Sequence, residues 1–220
     1  MEIVSKKDFI ELEFTGKANG DIFDTNILSD LIKINPEAKP KKTIVCIGEG
    51  MVVSGLDKQL EGKEIGKEYS ITIPYKEGFG ERKKDLVKTI PLRVFTEQKV
   101  MPHPGETLFL DNMVVKVITI SGARVITDFN NPLAGKDLEY TFIIKRKVND
   151  EKEKVESLFD FFFRTIPDFD INNDKIIVKG HKMLQYLVNN FSETFKELIG
   201  KNLEFIEEVK TSKNEQTTSE

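Results

Sequence analysis

The chain has 220 residues, of which 39% are hydrophobic and 32% are charged, a balance that excludes a fibrous protein or a mainly disordered one. The net charge of −4 is spread over Lys-rich and Glu-rich segments, so the sequence predicts no binding to nucleic acid or to an anionic membrane. The sequence shows neither an apolar signal segment nor an apolar run near the roughly 20 residues of a spanning helix, so the predicted location is the cytoplasm.

A half-buried strand opens the chain. Residues 8–14 alternate apolar and charged side chains, and Gly16 is predicted to open a turn after them. Phe23 and Asp24 follow, and their simplest interpretation is a core aromatic ring and a carboxylate that caps the next helix. Cys46, the only cysteine, lies in an apolar run, which favours a buried inert thiol over a nucleophile.

A very short amphipathic helix is predicted after that apolar run. Ser54 is its predicted N-cap, with Asp57 as the capping partner, and Gly62 is the predicted stop. Leu56 and Leu60 fall on one face, and Asp57, Lys58 and Glu61 fall on the other. Because the helix is so short, its apolar face is expected to be the floor of a structure that strands build.

Residues 85–128 behave as a unit of their own, and a small antiparallel meander is predicted there, with Asp111-Asn112 as one of its two-residue turns. The predicted strands are 108–110, 113–120 and 124–129. The unit carries more apolar surface than so small a module can easily bury. The side chains concerned are Phe95, Val100, Met101, Phe109 and Met113.

The rest of the chain predicts a long strand, a charged linker and a small third region. Residues 138–148 alternate as a strand does, and 149–154 are mostly charged or polar. Helical spacing starts at Val155, and short strands are predicted near 175–179 and 203–209. The region is small for independent stability and rich in Phe, so we expect some of its surface to pack against other domains or another copy.

The predicted fold class is α+β: a bent antiparallel sheet wrapped on a short helix, an inserted all-β domain and a small α/β C-terminal domain. The predicted domains are 1–84 with 129–149, the insert 85–128, the C-terminal domain 150–210 and a disordered tail 211–220.

Five local sequences occur in a characteristic order and spacing, namely Phe14-Thr15-Gly16, Phe23-Asp24, Val52-Val53-Ser54-Gly55-Leu56, Phe79-Gly80 and Pro132-Leu133-Ala134-Gly135-Lys136. Together they resemble the FKBP family of peptidyl-prolyl cis-trans isomerases, and specifically its SlyD-like prokaryotic branch. The resemblance covers about residues 4–148, and the region after it is similar to the C-terminal extension of longer archaeal members.

The resemblance implies an enzyme that isomerises Xaa-Pro bonds in a pocket between the sheet and the short helix. The residues expected to line that pocket are Phe14, Phe23, Asp24, Val52, Val53, Leu56, Phe79 and Tyr140. It also implies that the insert is a flap with chaperone activity toward unfolded chains, and the flap residues expected to meet them are Phe95, Met101, Phe109 and Met113. A homodimer through the C-terminal domain is a further expectation.

Three positions depart from the family pattern. Phe14 and Phe79 stand where a Tyr is usual, and Leu56 stands where many eukaryotic members have Trp. We therefore expect a pocket with fewer hydroxyl donors and an Asp24 without its usual hydroxyl partner. Bond rotation transfers no proton, so Asp24 is expected to orient the twisted carbonyl, while the N–H of Val53 donates to substrate. No cofactor or metal is expected. The rival hypothesis is a chaperone or interaction module with little or no isomerase activity.

Overall fold

The computed structural model describes residues 2–110 and 113–208, so the predicted turn at Asp111-Asn112 and the predicted disordered tail 211–220 lie outside the described residues. The elements in chain order are β1 (Phe9–Ala18), β2 (Asp21–Thr25), α1 (Leu28–Ile34), β3 (Thr43–Cys46), α2 (Ser54–Leu60), β4 (Glu68–Ile73), β5 (Val87–Pro91), α3 (Leu92–Glu97), β6 (Thr107–Leu110), β7 (Met113–Ser121), β8 (Arg124–Asp128), β9 (Leu138–Lys147), α4 (Glu151–Phe162), β10 (Asp168–Ile171), β11 (Lys175–Gly180), α5 (Met183–Ile199) and β12 (Asn202–Glu207).

The main sheet is antiparallel and packs against α2. Its order is β4-β9-β1, and both β2 and β3 pair with the remaining edge of β1. Leu56 and Leu60 of α2 are buried in one core with the inward side chains of the sheet, among them Leu12 and Phe142. The predicted α+β class, with a short helix under an antiparallel sheet, is confirmed.

The predicted capping of α2 by Ser54 with Asp57 was wrong, because the carboxylate of Asp57 instead fastens the loop before α2. The N-cap of α2 is Val53, without a side-chain cap, and Ser54 is the first helical residue. Asp57 is 8% exposed and accepts hydrogen bonds from the N–H of Gly48 at 2.8 Å and of Gly50 at 2.9 Å. Two backbone donors therefore decide where this side chain points.

Gly16 does not open a turn, since β1 continues through it. The hairpin turn comes at Asn19 and Gly20, which both have positive φ, the pattern of the two-residue turns that join antiparallel strands. Gly16 pairs with Asp24 on β2 and with Tyr140 on β9. It therefore lies at the middle of three adjacent strands.

The insert, which we call the flap (residues 87–128), has a four-stranded antiparallel sheet in the order β5-β8-β7-β6. It also contains the helix α3, so the all-β prediction was wrong for this part, and β5 was not predicted. Phe95 of α3 is fully buried and forms the flap core with Val115, Val117 and Val125.

Two segments connect the flap to the main sheet, one before β5 and one after β8, and side chains bond them to each other. Arg82 donates from Nε to Asp128 at 2.8 Å, and the side chain of Asn130 bonds both the N–H and the carbonyl of Lys83. Burial raises the pKa of Asp128, but hydrogen bonds from Asn130 and Arg82 outweigh it and hold that pKa below its ordinary value. This carboxylate is therefore ionised at neutral pH, and its bonds to Arg82 and Asn130 hold the two connecting segments together.

The C-terminal unit (residues 151–207) consists of α4, α5 and the sheet β10-β11-β12, in which β11 and β12 are parallel. The predicted charged linker is mostly helix, because the carboxylate of Asp150 accepts a hydrogen bond from the N–H of Glu153 at 2.8 Å and caps α4 from Glu151 onward.

One hydrophobic core joins the C-terminal unit to the main sheet. Phe9, Cys46 and Val148 of the first body are buried with Val155 and Phe159 of α4. Ion pairs flank this core, including Lys41 with Asp160 at 2.6 Å and Arg146 with Glu153 at 2.8 Å. The expectation that the Phe-rich surface packs against another part of the chain is confirmed. Among the described residues, no helix has the length and apolar character to cross a membrane.

Candidate functional site

A groove of about 730 Å³ lies over α2, between the main sheet and the C-terminal unit. This volume is within the range of about 300 to 1,000 Å³ that is usual for small-ligand pockets. All eight residues predicted for the proline pocket lie on its lining, namely Phe14, Phe23, Asp24, Val52, Val53, Leu56, Phe79 and Tyr140.

Aromatic rings in edge-to-face contact build the walls of the groove. The ring of Phe23 meets Tyr140 at 5.8 Å between centroids and 90°, and it meets Phe79 at 6.1 Å and 88°. Phe14 lies 6.0 Å from Tyr140 behind them. These separations are those of favourable aromatic pairs, so the rings hold one another in place and leave an apolar slot.

Gly16 is the reason that two of these rings can approach each other. A Cβ atom at Gly16 would lie 2.7 Å from Cζ of Phe23 and 2.9 Å from Cε1 of Tyr140. Only a residue without a side chain fits beneath both rings. The register of the three strands thus decides the shape of the slot, and the sequence alone gave no sign of it.

The floor and the near rim come from α2 and the loop before it. Leu56 is 1% exposed and closes the bottom, while Val52 and Val53 are half-buried at the rim. The N–H of Val53 has no hydrogen-bond partner within residues 2–110 and 113–208, whereas its carbonyl accepts the N–H of Asp57 at 2.9 Å. This N–H is therefore available to a ligand.

Asp24 and Tyr140 are the polar groups beside the aromatic slot. Burial raises the pKa of Asp24, and only a hydrogen bond from the N–H of Thr25 acts against it. Burial, and after it the nearby charge of Asp24, raises the pKa of the Tyr140 hydroxyl above its ordinary value of 10.0. Tyr140 is therefore a neutral hydroxyl donor at physiological pH, next to a carboxylate that carries no salt bridge within the described chain.

Comparison with known proteins agrees with this geometry. Residues 1–96 match the family described as FKBP-type peptidyl-prolyl cis-trans isomerase, and residues 88–133 match the one described as FKBP26, IF domain. Residues 1–96 therefore carry an FKBP-type peptidyl-prolyl cis-trans isomerase domain. The second match falls on the flap and runs into the loop before β9.

The chain is similar to short-type and SlyD-type peptidyl-prolyl cis-trans isomerases. A short-type peptidyl-prolyl cis-trans isomerase of Methanocaldococcus jannaschii is 28% identical over 149 residues, which is 66% of this chain and 94% of the relative. The SlyD proteins of Vibrio cholerae and Treponema pallidum are 31% and 34% identical, over 43% and 44% of this chain. The chain spans 48% and 57% of those two relatives, roughly half of their length.

The four residues predicted to meet clients on the flap fall into two groups. Met101, Phe109 and Met113 are exposed, at 67%, 75% and 51%. Phe95 is a correction, because it has no exposed surface and fills the flap core. Its position on α3, a helix that the sequence did not predict, turns it inward.

Sequence reasoning missed four residues around the groove. Gly16 lies beneath the rings of Phe23 and Tyr140, and Asp57 fastens the loop before α2. Phe161 and Arg164 of the C-terminal unit line the groove itself. The double valine and the Leu pair drew attention to α2, but nothing local showed which distant segment would close the groove. Within the described residues, no group of three or more His, Cys, Asp or Glu side chains could hold a metal ion.

Proposed function

We propose that this isomerase acts on Xaa-Pro bonds of unfolded and partly folded polypeptides in the groove over α2, and that the flap holds those chains. The observation that carries the proposal is the apolar slot of Phe23, Phe79 and Tyr140 above Leu56, with the carboxylate of Asp24 beside it. The proposal includes the predicted domains, which are 1–84 with 129–149, the insert 85–128 and the C-terminal domain 150–210.

The slot suits a reaction in which no bond is broken. Amide resonance sets a barrier of about 18 to 20 kcal/mol to rotation about the peptide bond, and an uncatalysed Xaa-Pro bond exchanges in tens of seconds or more. Resonance separates charge, which an apolar environment disfavours, so water exclusion lowers the barrier. A slot that fits the twisted proline better than the planar one lowers it further.

Three polar groups orient the substrate in this proposal. The free N–H of Val53 and the Tyr140 hydroxyl donate to substrate carbonyls, and Asp24 acts through its charge on the twisted carbonyl. Tyr140 thereby supplies a hydroxyl to a pocket whose walls carry Phe14 and Phe79. No group is required to transfer a proton.

The flap offers an apolar surface to extended chains. Phe109 and Val114 are paired across β6 and β7 and are both exposed, and Met113 is exposed at the start of β7. Exposed apolar clusters of this kind are typical of interaction sites. The edge strand β6 also has backbone groups that an extended client can pair with.

The proline test is the refolding of a denatured protein whose slow phase is limited by proline isomerisation. Catalytic amounts of the isomerase are expected to accelerate that phase. Suppression of aggregation without any acceleration would instead favour the rival function, a chaperone or interaction module with a degenerate pocket.

The flap test uses surface substitutions. The triple variant Met101→Ser, Phe109→Ser, Met113→Ser is expected to suppress client aggregation several-fold less than the wild type. The matched control is Met183→Ser with Tyr186→Ser, which removes exposed apolar side chains from α5 instead. Equal suppression by the triple variant and the wild type would rule out the flap as the holding surface.

Three further expectations stay predictions: a homodimer through the C-terminal domain, no nucleic-acid or membrane partner, and a cytoplasmic location. Met183 and Tyr186 are 79% and 72% exposed on α5, which gives a second copy an apolar surface to cover. The mass in solution of the chain with Met183→Ser and Tyr186→Ser, against the wild type, tests the dimer.

A further inference from the structure

The groove over α2 is wider than the proline slot because the C-terminal unit forms its far side. Phe161 and Arg164 lie on the same lining as Phe23 and Leu56. A substrate residue beside the proline would therefore meet the C-terminal unit as well as the main sheet.

The structure holds these two side chains firmly against the groove. Asp160 forms an ion pair with Lys41 of the main body at 2.6 Å, directly before Phe161 in the chain. Phe162 stacks on Phe191 of α5 with 4.7 Å between centroids. The guanidinium of Arg164 lies 5.3 Å from the centroid of the Phe161 ring, a cation–π distance, so the ring positions the charge.

The lining of the groove has an excess of positive charge, although the whole chain carries −4. The lining contains Lys39, Lys41 and Arg164 but only one acidic side chain, Asp24. Asp160 neutralises Lys41, whereas Arg164 has no ion-pair partner in the part of the chain that the structure describes.

Asp24 does not cancel the charge of Arg164. Asp24 forms no ion pair with any cation of the described residues, and burial is the main cause of its raised pKa. The two charges thus belong to different sides of the groove, Asp24 beside the proline slot and Arg164 on the C-terminal unit.

We propose that Phe161 and Arg164 form a substrate subsite that binds an acidic side chain, Asp or Glu, close to the substrate proline. The guanidinium presents N–H donors in a planar fork that matches a carboxylate, and the Phe161 ring holds it toward the groove. This inference rests on the proposed function and names the class of substrate that the same groove prefers. The C-terminal unit then contributes to specificity.

The test compares two peptides that differ only in Glu or Gln next to the proline, with cis–trans exchange measured by NMR. The wild type is expected to give a kcat/KM about threefold higher for the Glu peptide, the size usual for an ion pair at an open surface. In 1 M salt, where the Debye length falls to about 3 Å, the ratio should approach one.

Variants separate a charge effect from a structural one. Arg164→Gln is expected to bring the Glu-to-Gln ratio to about one, and Arg164→Lys to retain part of it. Lys196→Gln removes an exposed charge of α5 outside the groove and should keep the wild-type ratio. Thermal unfolding of each variant checks that the fold is intact.

The outcomes distinguish the two proposals. A wild-type ratio of one, or a ratio that Arg164→Gln leaves unchanged, would overturn the subsite while the isomerase function stands. If the wild type exchanged neither peptide, the proposed function would fall, and the subsite with it.

Discussion

Asp24 combines a functional charge with an unfavourable environment. Burial raises the pKa of its carboxyl above the ordinary value of 3.8, so the carboxyl loses its proton less readily in the folded chain than in the unfolded one. A raised folded pKa means that the protonated form is favoured by folding. The stabilisation is present at low pH and is lost as the pH rises through the folded pKa.

The first prediction follows from the raised pKa of Asp24. For a peptide without charges, kcat/KM should fall as the pH drops through the raised pKa of Asp24, because the orienting charge disappears. Asp24→Asn should be about fivefold less active at pH 7, with no such acid limb, and should unfold at a higher temperature than the wild type at pH 7. Asp21→Asn, on the same strand and exposed, is the control. An acid limb that persists in Asp24→Asn would contradict the role.

Gly16 gives the second prediction. With Ala at this position, Phe23 and Tyr140 must both move, because the added Cβ would lie less than 3.0 Å from each ring. We expect kcat/KM to fall about tenfold in Gly16→Ala, whereas Lys17→Ala, at the exposed neighbouring position, should match the wild type. An unchanged rate in Gly16→Ala would show that the wall rings do not set the shape of the slot.

At the scale of elements, Asp57 links the loop of Val52 and Val53 to α2. In Asp57→Ala the N–H groups of Gly48 and Gly50 lose their acceptor, which should lower the free energy of unfolding by about 2 kcal/mol. Urea titration measures this third prediction, and amide exchange of residues 48–53 should accelerate. Lys58→Ala, exposed on the same helix, is the control; an equal effect in both would contradict the anchoring role.

Some of the helices and strands could be predicted from the sequence and others could not. Alternation predicted β1 and β9, since one face of each is buried, and turn signals predicted β7. It missed β5 and α3, where the residues around Pro91 carry no clear period and only the pairing of β5 with β8 decides the structure. The orientation of Phe95 depends on α3, so its burial could not be predicted either.

At the scale of the molecule, the site could be predicted only in part. The resemblance placed eight residues that line one groove, because the motifs keep their spacing. Phe161 and Arg164 could not be found this way, since they reach the groove through the core that joins α4 to β1 and β3. That contact depends on side chains more than 100 residues apart, such as Phe9 and Phe159.

The accessibility of the Cys46 thiol to a reagent measures how tightly this shared core is closed. Cys46 is fully buried, and burial raises the pKa of its thiol to about 12. The fourth prediction is that a thiol reagent at pH 8 labels Cys46 only as fast as the chain opens, and that labelling becomes fast in denaturant. Phe159→Ala should accelerate labelling many-fold, and Phe169→Ala, at a partly buried position packed against the same core, should do so less. Fast labelling of the native wild type would contradict a core shared by the two units.

The central claim is that the groove over α2 isomerises prolyl bonds with Tyr140 as its hydroxyl donor. The most direct measurement is NMR exchange of a short Ala-Pro peptide with catalytic amounts of the wild type and of Tyr140→Phe. With the wild type we expect exchange peaks between the cis and trans forms of the peptide, and with Tyr140→Phe we expect an exchange rate about five- to tenfold lower. No exchange with the folded wild type would contradict it.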